Sequence, residues 1–239
     1  MFERDKLGEI VDGHTLRFVR VVHHSCERVW RAITDETELA HWMGYPVRFE
    51  PRVDGRVYFF GEDERIEGKV FIFDPPRTLA YSFADVRVAE HMARAERDWT
   101  VRWDLDPIGN DGCRITFIQR WLGGAQLWGL GEGWHGFIEQ LVAYFDGTLE
   151  QRWDEFRSYG SDDIEGLRLY RSHVTNELVA WARAVAADAR RAMDDDRRDD
   201  VRANIDRLEL AARQLGRIAE QEGARPDYGL HQDVHVEAP

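Results

Sequence analysis

Aromatic side chains at regular spacing are the most chemically suggestive residues of this chain, which carries nine Trp and twelve Phe among 239 residues. Trp99, Val101, Trp103 and Leu105 alternate with Asp98, Thr100, Arg102 and Asp104. Cys113, Ile115, Phe117, Gln119 and Trp121 form a second alternating row. A period of two places each row on one face of a strand. Gln119 is the polar member of an otherwise apolar row, and a buried amide needs a partner that a ligand or a water would supply. Tyr81, in line with Leu79 and Phe83, offers a second polar handle. The expected wall and floor of a cavity are Phe59, Tyr81, Phe83, Trp99, Trp103, Phe117, Gln119, Trp134 and Phe137, with Trp42 near the mouth. A mostly apolar concavity with a few polar groups is the usual form of a small-molecule site. The competing reading is a plain aromatic core.

Other reactive residue types lack the company their chemistry needs. His135, beside Trp134, would face the pocket rim, but a general base needs a positioned acid or a substrate proton. His23-His24 fall at a strand-to-helix junction and read as exposed. His231 and His235 share one helical face, yet no cysteine or third zinc ligand lies near them. Cys26 near a helix start would have an activated thiol, without a His–Asp set to use it. Asp194-Asp195-Asp196 reads as a solvated turn. No P-loop, dinucleotide glycine pattern or H-E-x-x-H motif occurs. No catalytic residue, metal or cofactor is therefore expected, and Cys26 and Cys113 read as free thiols rather than a disulfide framework.

The elements that must position the rings follow from periodicity. Residues 16 to 22 alternate as a strand. Ser25 stands at a helix N-cap, with Arg28 rather than an acid at the third helical position, so no capping box forms. Thr34-Asp35 ends that helix or caps the next, which Gly44-Tyr45-Pro46 stops. Strands and turns follow from Val47 to Trp121, with Ile66, Gly68, Val70 and Ile72 assigned to one face. Tandem prolines at Pro75-Pro76 mark a turn, since they cannot continue a ladder. Residues 86 to 97 read as an irregular excursion. Short turns between consecutive strands imply an antiparallel meander.

Residues 131 to 159 read as one long helix, with an apolar stripe through Trp134, Phe137, Ile138, Leu141, Val142, Phe145, Leu149, Trp153 and Phe156. Gly160-Ser161 suggests a boundary, giving a first domain over 1–159 and a helical extension over 160–239. The extension reads as two helices, about 168–193 and 201–222, and a loose tail. Val174, Leu178, Trp181 and Val185 form one seam; Val201, Ile205, Leu208, Ala212, Leu215 and Ala219 form the other. These seams close within the chain, against the first domain, or in a homodimer.

A net charge of −13 and a pI near 5.2 argue against nucleic acid and against anionic lipid as partners. A charged N-terminus without an apolar run reads as lacking a signal peptide. No stretch approaches a membrane span. A cytoplasmic location is expected. Arginine supplies all basic charge except Lys6 and Lys69, as in a GC-rich bacterium.

Four signatures occur in order: V-W-R-A-I-T-D…L-A-H-W (Val29 to Trp42), V-D-G-R-V (Val53 to Val57), G-K-V-F-I-F-D-P-P-R-T-L (Gly68 to Leu79) and G-W-H-G-F (Gly133 to Phe137). Together they resemble the START/SRPBCC helix-grip superfamily. More narrowly, they are similar to the family named for homologues of the activator of the ninety-kilodalton heat-shock-protein ATPase. Val29, Trp30, Ala32, Ile33, Thr34, Asp35, Leu39 and Trp42 match its first helices, and Gly68, Val70, Pro76 and Leu79 its strand and turn. Gly133-Trp134 opens its last helix, whereas Asp54-Gly55 keeps one of two usual glycines. The resemblance spans about residues 14 to 155. It implies an α+β helix-grip fold, a curved antiparallel sheet around a long C-terminal helix, enclosing a pocket. It does not imply chaperone activity, and it stops before the helical extension.

Three functions fit. The first is a non-enzymatic protein that binds an apolar or aromatic small molecule, oriented by Gln119 or Tyr81. The second is an enzyme like the polyketide cyclases and aromatases among helix-grip relatives, for which Tyr81, Asp85 and His135 are the nearest titratable groups. The third is a protein-interaction or stress-response module acting through the C-terminal helices.

Overall fold

Alternation of apolar and polar residues along each strand gives this chain one buried and one wet sheet face. The computed structural model describes residues 6–59, 66–85, 100–120, 127–152 and 164–220. The strands are β1 (Glu9–Ile10), β2 (Thr15–Val22), β3 (Val47–Phe49), β4 (Arg56–Phe59), β5 (Ile66–Asp74), β6 (Thr78–Ser82), β7 (Ala84–Asp85), β8 (Thr100–Ile108) and β9 (Gly112–Arg120). Their order is β1-β2-β9-β8-β6-β5-β4-β3, with β7 on β5, and the pairs are antiparallel. On β2, Leu16, Phe18 and Val22 are buried while Val19 and Val21 face solvent. β8 and β9 likewise bury Val101, Trp103 and Leu105, and Cys113, Ile115, Phe117 and Gln119.

Between β2 and β3 lie α1 (Cys26–Thr34) and α2 (Glu36–Met43). Ser25 caps α1, its hydroxyl accepting from the Arg28 N–H at 3.3 Å. Asp35 serves twice: its N–H closes α1 on the Arg31 carbonyl, and its carboxylate accepts from the Thr37 and Glu38 N–H groups at 3.0 Å. Gly44, at φ 76°, ends α2 in the left-handed region that glycine favours. The V-D-G turn is equally local. Asp54 has φ 62°, and a Cβ on Gly55 would stand 2.2 Å from the Glu50 carbonyl oxygen.

The face assigned to β5 needs correction. A bulge between Val70 and Ile72 shifts the register, so Phe73, not Ile72, lies opposite inward-facing Leu79. The Phe73 ring meets Trp30 of α1, with centroids 5.2 Å apart, and Phe71 is exposed. A bulge reverses every later side chain, which an alternation count cannot foresee.

The single long helix is also corrected. Helix α3 runs Leu127–Phe145. At Gly147 the backbone takes φ 70°, and the Asp146 and Thr148 N–H groups return to the Val142 and Ala143 carbonyls. The chain turns there, and residues 149–152 start a new helical stretch. Trp153 and Phe156 lie outside the described residues.

The extension forms α4 (Ile164–Asp194) and α5 (Arg198–Glu220). On α4 the seam is as expected, with Val174, Leu178 and Val185 buried. Trp181 packs on Gly13, where a Cβ would stand 2.5 Å from the indole. On α5 the buried residues are Asn204, Ala211, Gln214 and Ile218, while Ile205, Ala212 and Ala219 are exposed. That helix is thus rotated from its most apolar face. Helix α4 also touches the sheet and α3. Tyr170 is fully buried and accepts from the Gly8 N–H at 3.5 Å, and His173 donates to the Gly8 carbonyl at 2.6 Å. Tyr170, Val174, Leu178 and Ile218 join one apolar core with the sheet.

Candidate functional site

The inner face of the sheet and the underside of α3 bring most of the expected residues together. Across β2, β9, β8, β6 and β5 one row reads Leu16, Gln119, Val101, Tyr81, Val70. The next reads Phe18, Phe117, Trp103, Leu79, Phe73. Trp134 of α3 descends onto these rows, its ring 4.3 Å from Phe117 and 5.2 Å from Phe83 by centroid. Trp103 meets Phe117 edge-on at 4.7 Å, the arrangement ring quadrupoles favour. Phe59 joins through Phe83 at 5.5 Å and Tyr81 at 6.0 Å. Phe137, half-buried, sits between Trp134 and Tyr45.

Trp42 is placed differently from expectation. It is fully buried, and its indole N–H donates to the Ala32 carbonyl at 2.8 Å, tying α2 to α1. It is a core ring with its polar atom already used rather than a group at a mouth. Trp99 and Trp121 lie outside the described residues, as do His231 and His235.

Two polar side chains stand among the rings. The Tyr81 hydroxyl accepts from the Trp103 indole N–H at 3.4 Å, and burial holds its phenol above the ordinary value, hence neutral. Gln119 is 0% exposed, and among the described residues neither its amide nitrogen nor its amide oxygen has a hydrogen-bond partner. Its cross-strand neighbours, Leu16 and Val101, carry no polar side-chain atom.

His135 does not face the rings as a rim residue. It is buried between the Phe18 and Tyr170 rings at 6.2 and 5.7 Å, on the side of α3 covered by α4. Burial first, then the positive charges of Arg20 and Arg152, lower its pKa to about 3. The Cys26 and Cys113 sulfurs lie 2.7 Å apart as buried free thiols, and burial with the neighbouring sulfur pushes the Cys113 thiol up. A buried thiol of that kind is a poor nucleophile. Among the described residues no His, Cys, Asp and Glu group could hold a metal ion.

One polar cluster was not anticipated from sequence. Arg28 donates to Glu38 at 2.6 Å and to the Tyr144 hydroxyl at 3.0 Å, and Tyr144 donates to Glu38 at 3.0 Å. It locks α1 and α2 onto the C-terminal end of α3. Its members are 116 residues apart at the widest, so no local spacing could reveal it. A shallow trough of about 520 Å³ lies on the outer face, lined by Asp54, Arg56, Tyr58, Glu67, Gly68, Lys69 and Ser82. Its Lys69 is paired with Asp54 at 2.6 Å and its Arg56 with Tyr58 at 2.9 Å.

Residues 23–146 match the family described as Activator of Hsp90 ATPase homolog 1-like protein, which is more than half the chain. The chain belongs to this family. Among solved structures, this family member is similar to CalU16 from Micromonospora echinospora, at 19% identity and a TM-score of 0.51, covering 70% of this chain and 86% of that one. That likeness shows the shared α+β helix-grip fold. A Mesorhizobium loti protein aligns at 24% identity and TM-score 0.48, covering 56% of this chain and 98% of its own. An HSP90 activator from Plasmodium falciparum aligns at 12% identity and TM-score 0.40, covering 46% and 75%. Comparison with curated proteins finds no match. The family match ends at residue 146, so α4 and α5 are an addition to the Activator of Hsp90 ATPase homolog 1-like region. Among the described residues no helix is long and apolar enough to cross a membrane.

Proposed function

We propose that this chain is a non-enzymatic, cytoplasmic binding protein that holds an apolar or aromatic small molecule between α3 and the inner face of β6, β8 and β9. The observation that carries this reading is Gln119: a fully buried amide with no partner among the described residues. Leaving such a group unpaired costs roughly 1–3 kcal/mol, and a ligand that pairs with it removes that cost. Affinity comes mainly from burying ligand surface, at about 25 cal/mol per Å². Tyr81 and Gln119 set its orientation. The cyclase-like alternative is less supported. Burial moves both Tyr81 and His135 away from the neutral range in which general acids and bases work best.

The test is native against denaturing mass spectrometry of freshly purified protein. The binding reading expects a small molecule released on denaturation, and its loss in Gln119→Trp, where the larger ring occupies the site. A clean apo mass, with no change in tryptophan emission on adding aromatic probes, would overturn it.

A second reading, self-association through the helical extension, draws on α5. Ile205 is 48% exposed, flanked by half-buried Val201 and Leu208. A second copy covering this stripe would make Ile205→Glu lower the sedimentation coefficient; identical values for both proteins would rule it out.

A further inference from the structure

The binding reading leaves the ligand's chemistry open, and the surroundings of Gln119 narrow it. A carboxamide presents an N–H donor and a C=O acceptor side by side in one plane. Here both atoms are sealed from water and both lack partners among the described residues. The group that satisfies both at once carries the complementary pair, a C=O beside an N–H on one edge. Lactams, cyclic imides and primary amides have that edge; esters, ethers, ketones and hydrocarbons do not.

Charge narrows the class further. Among the described residues of the two inner rows, the polar side chains other than Gln119 are the Tyr81 phenol and the Trp103 indole, and these are hydrogen-bonded to each other. Leu16, Val101 and Phe117 offer nothing to balance an ion. Arg20, farther along β2, is already paired with Glu139 of α3 at 2.7 Å. A carboxylate or ammonium brought to Gln119 would be a buried, uncompensated charge. Trp103, Phe117 and Trp134 pack on one another at 4.7 and 4.3 Å by centroid, and a flat aromatic ligand takes the place of such a ring contact at least cost. We propose that Gln119 selects a neutral, planar heteroaromatic ligand by pairing both amide atoms with a lactam edge. This rests on the binding reading above.

The proposal separates from a mere packing role for Gln119. A side chain kept for stability should not be a buried, unpartnered amide. Replacing it with leucine removes the unpaired atoms at similar volume. Gln119→Leu should therefore raise the melting temperature of the ligand-free protein while removing selectivity.

The experiment titrates the full chain with 2-quinolone, N-methyl-2-quinolone and quinoline, read by tryptophan fluorescence and calorimetry. The three share a bicyclic aromatic frame. The first has the lactam edge, the second lacks its N–H, and the third lacks both N–H and C=O. Wild-type protein should bind 2-quinolone about tenfold or more tighter than either analogue, the discrimination expected when a buried polar group is left unpaired. Gln119→Leu should bind all three alike, and Gln119→Met serves as a second variant with an unbranched side chain. Equal binding of the three to wild type would overturn the lactam proposal and leave the binding reading standing. Selectivity that persists in both variants would overturn the role of Gln119. Binding of none of the three would overturn the lactam proposal, and the binding reading would then stand or fall on the mass measurement above.

Discussion

The two ends of the helix grip treat buried polar atoms in opposite ways. Where α1 and α2 meet the C-terminal end of α3, the indole of Trp42 donates to Ala32, Thr34 donates to the Trp30 carbonyl, and Glu36 accepts from the Phe49 N–H at 2.7 Å. Arg28, Glu38 and Tyr144 satisfy one another. Where β8 and β9 pass under Trp134, Gln119 is just as buried and has no partner among the described residues. One end is built to hold the fold; the other leaves a buried amide without a partner among the described residues. Sites of function are where local rules of polar satisfaction are expected to fail.

The largest effect should come from breaking the satisfied end. Trp42→Ala removes a fully buried ring and its hydrogen bond, and should cost about 3–5 kcal/mol in urea unfolding. A much smaller loss would mean that α2 contributes little to the core.

His135 extends the comparison to the face of α3 covered by α4. Its folded pKa of about 3 lies below the unfolded value of 6.5. Between those values the unfolded chain binds more protons, so stability falls as pH drops from about 6.5 toward 3, by up to about 1.4 kcal/mol per pH unit. The charges of Arg20 and Arg152 reinforce its neutral form, against a backbone hydrogen bond at Lys6 that favours the protonated ring. His135→Gln should flatten that slope in chemical denaturation measured at stepped pH. An unchanged slope would assign the acid sensitivity to other groups.

Gln119→Leu should act in the opposite direction from Trp42→Ala, raising the stability of the ligand-free protein by roughly 1–3 kcal/mol. A destabilised variant would mean the amide is satisfied in solution and the two ends do not differ. The smallest effect is expected for Tyr144→Phe. It removes a hydroxyl that makes two hydrogen bonds in a partly exposed cluster, but Arg28 and Glu38 stay paired with each other, so it should cost about 1 kcal/mol.

Much of the fold was legible in the chain. Gly44 and the Ser25 and Asp35 caps act within one helical turn, so residue type was enough to read them. The described members of the β8 and β9 rows, Val101 to Leu105 and Cys113 to Gln119, face as expected because those strands are regular over their length. β5 was misread because its bulge changes the period midway. The α5 stripe is covered only in part within this chain: Val201, Leu208 and Leu215 are half-buried and Ile205, Ala212 and Ala219 exposed, while Asn204, Ala211, Gln214 and Ile218 are buried, and periodicity alone left open which face packs. The break at Gly147 was hidden by apolar residues that continue in helical spacing beyond it.

For the candidate site, the sequence by itself determined which residue types are present and which strand face they share. Alternation puts Phe117 and Gln119 on the same side as surely as geometry allows. It also placed a tryptophan, Trp134, on a helix stripe suited to that face. Only the tertiary structure decided which polar atoms find partners. Trp42 and Gln119 are equally buried, yet one meets the Ala32 carbonyl and the other meets leucine and valine. The reason is that periodicity fixes the direction of a side chain along its own element. A hydrogen bond depends on what a distant element brings to within about 3 Å of it.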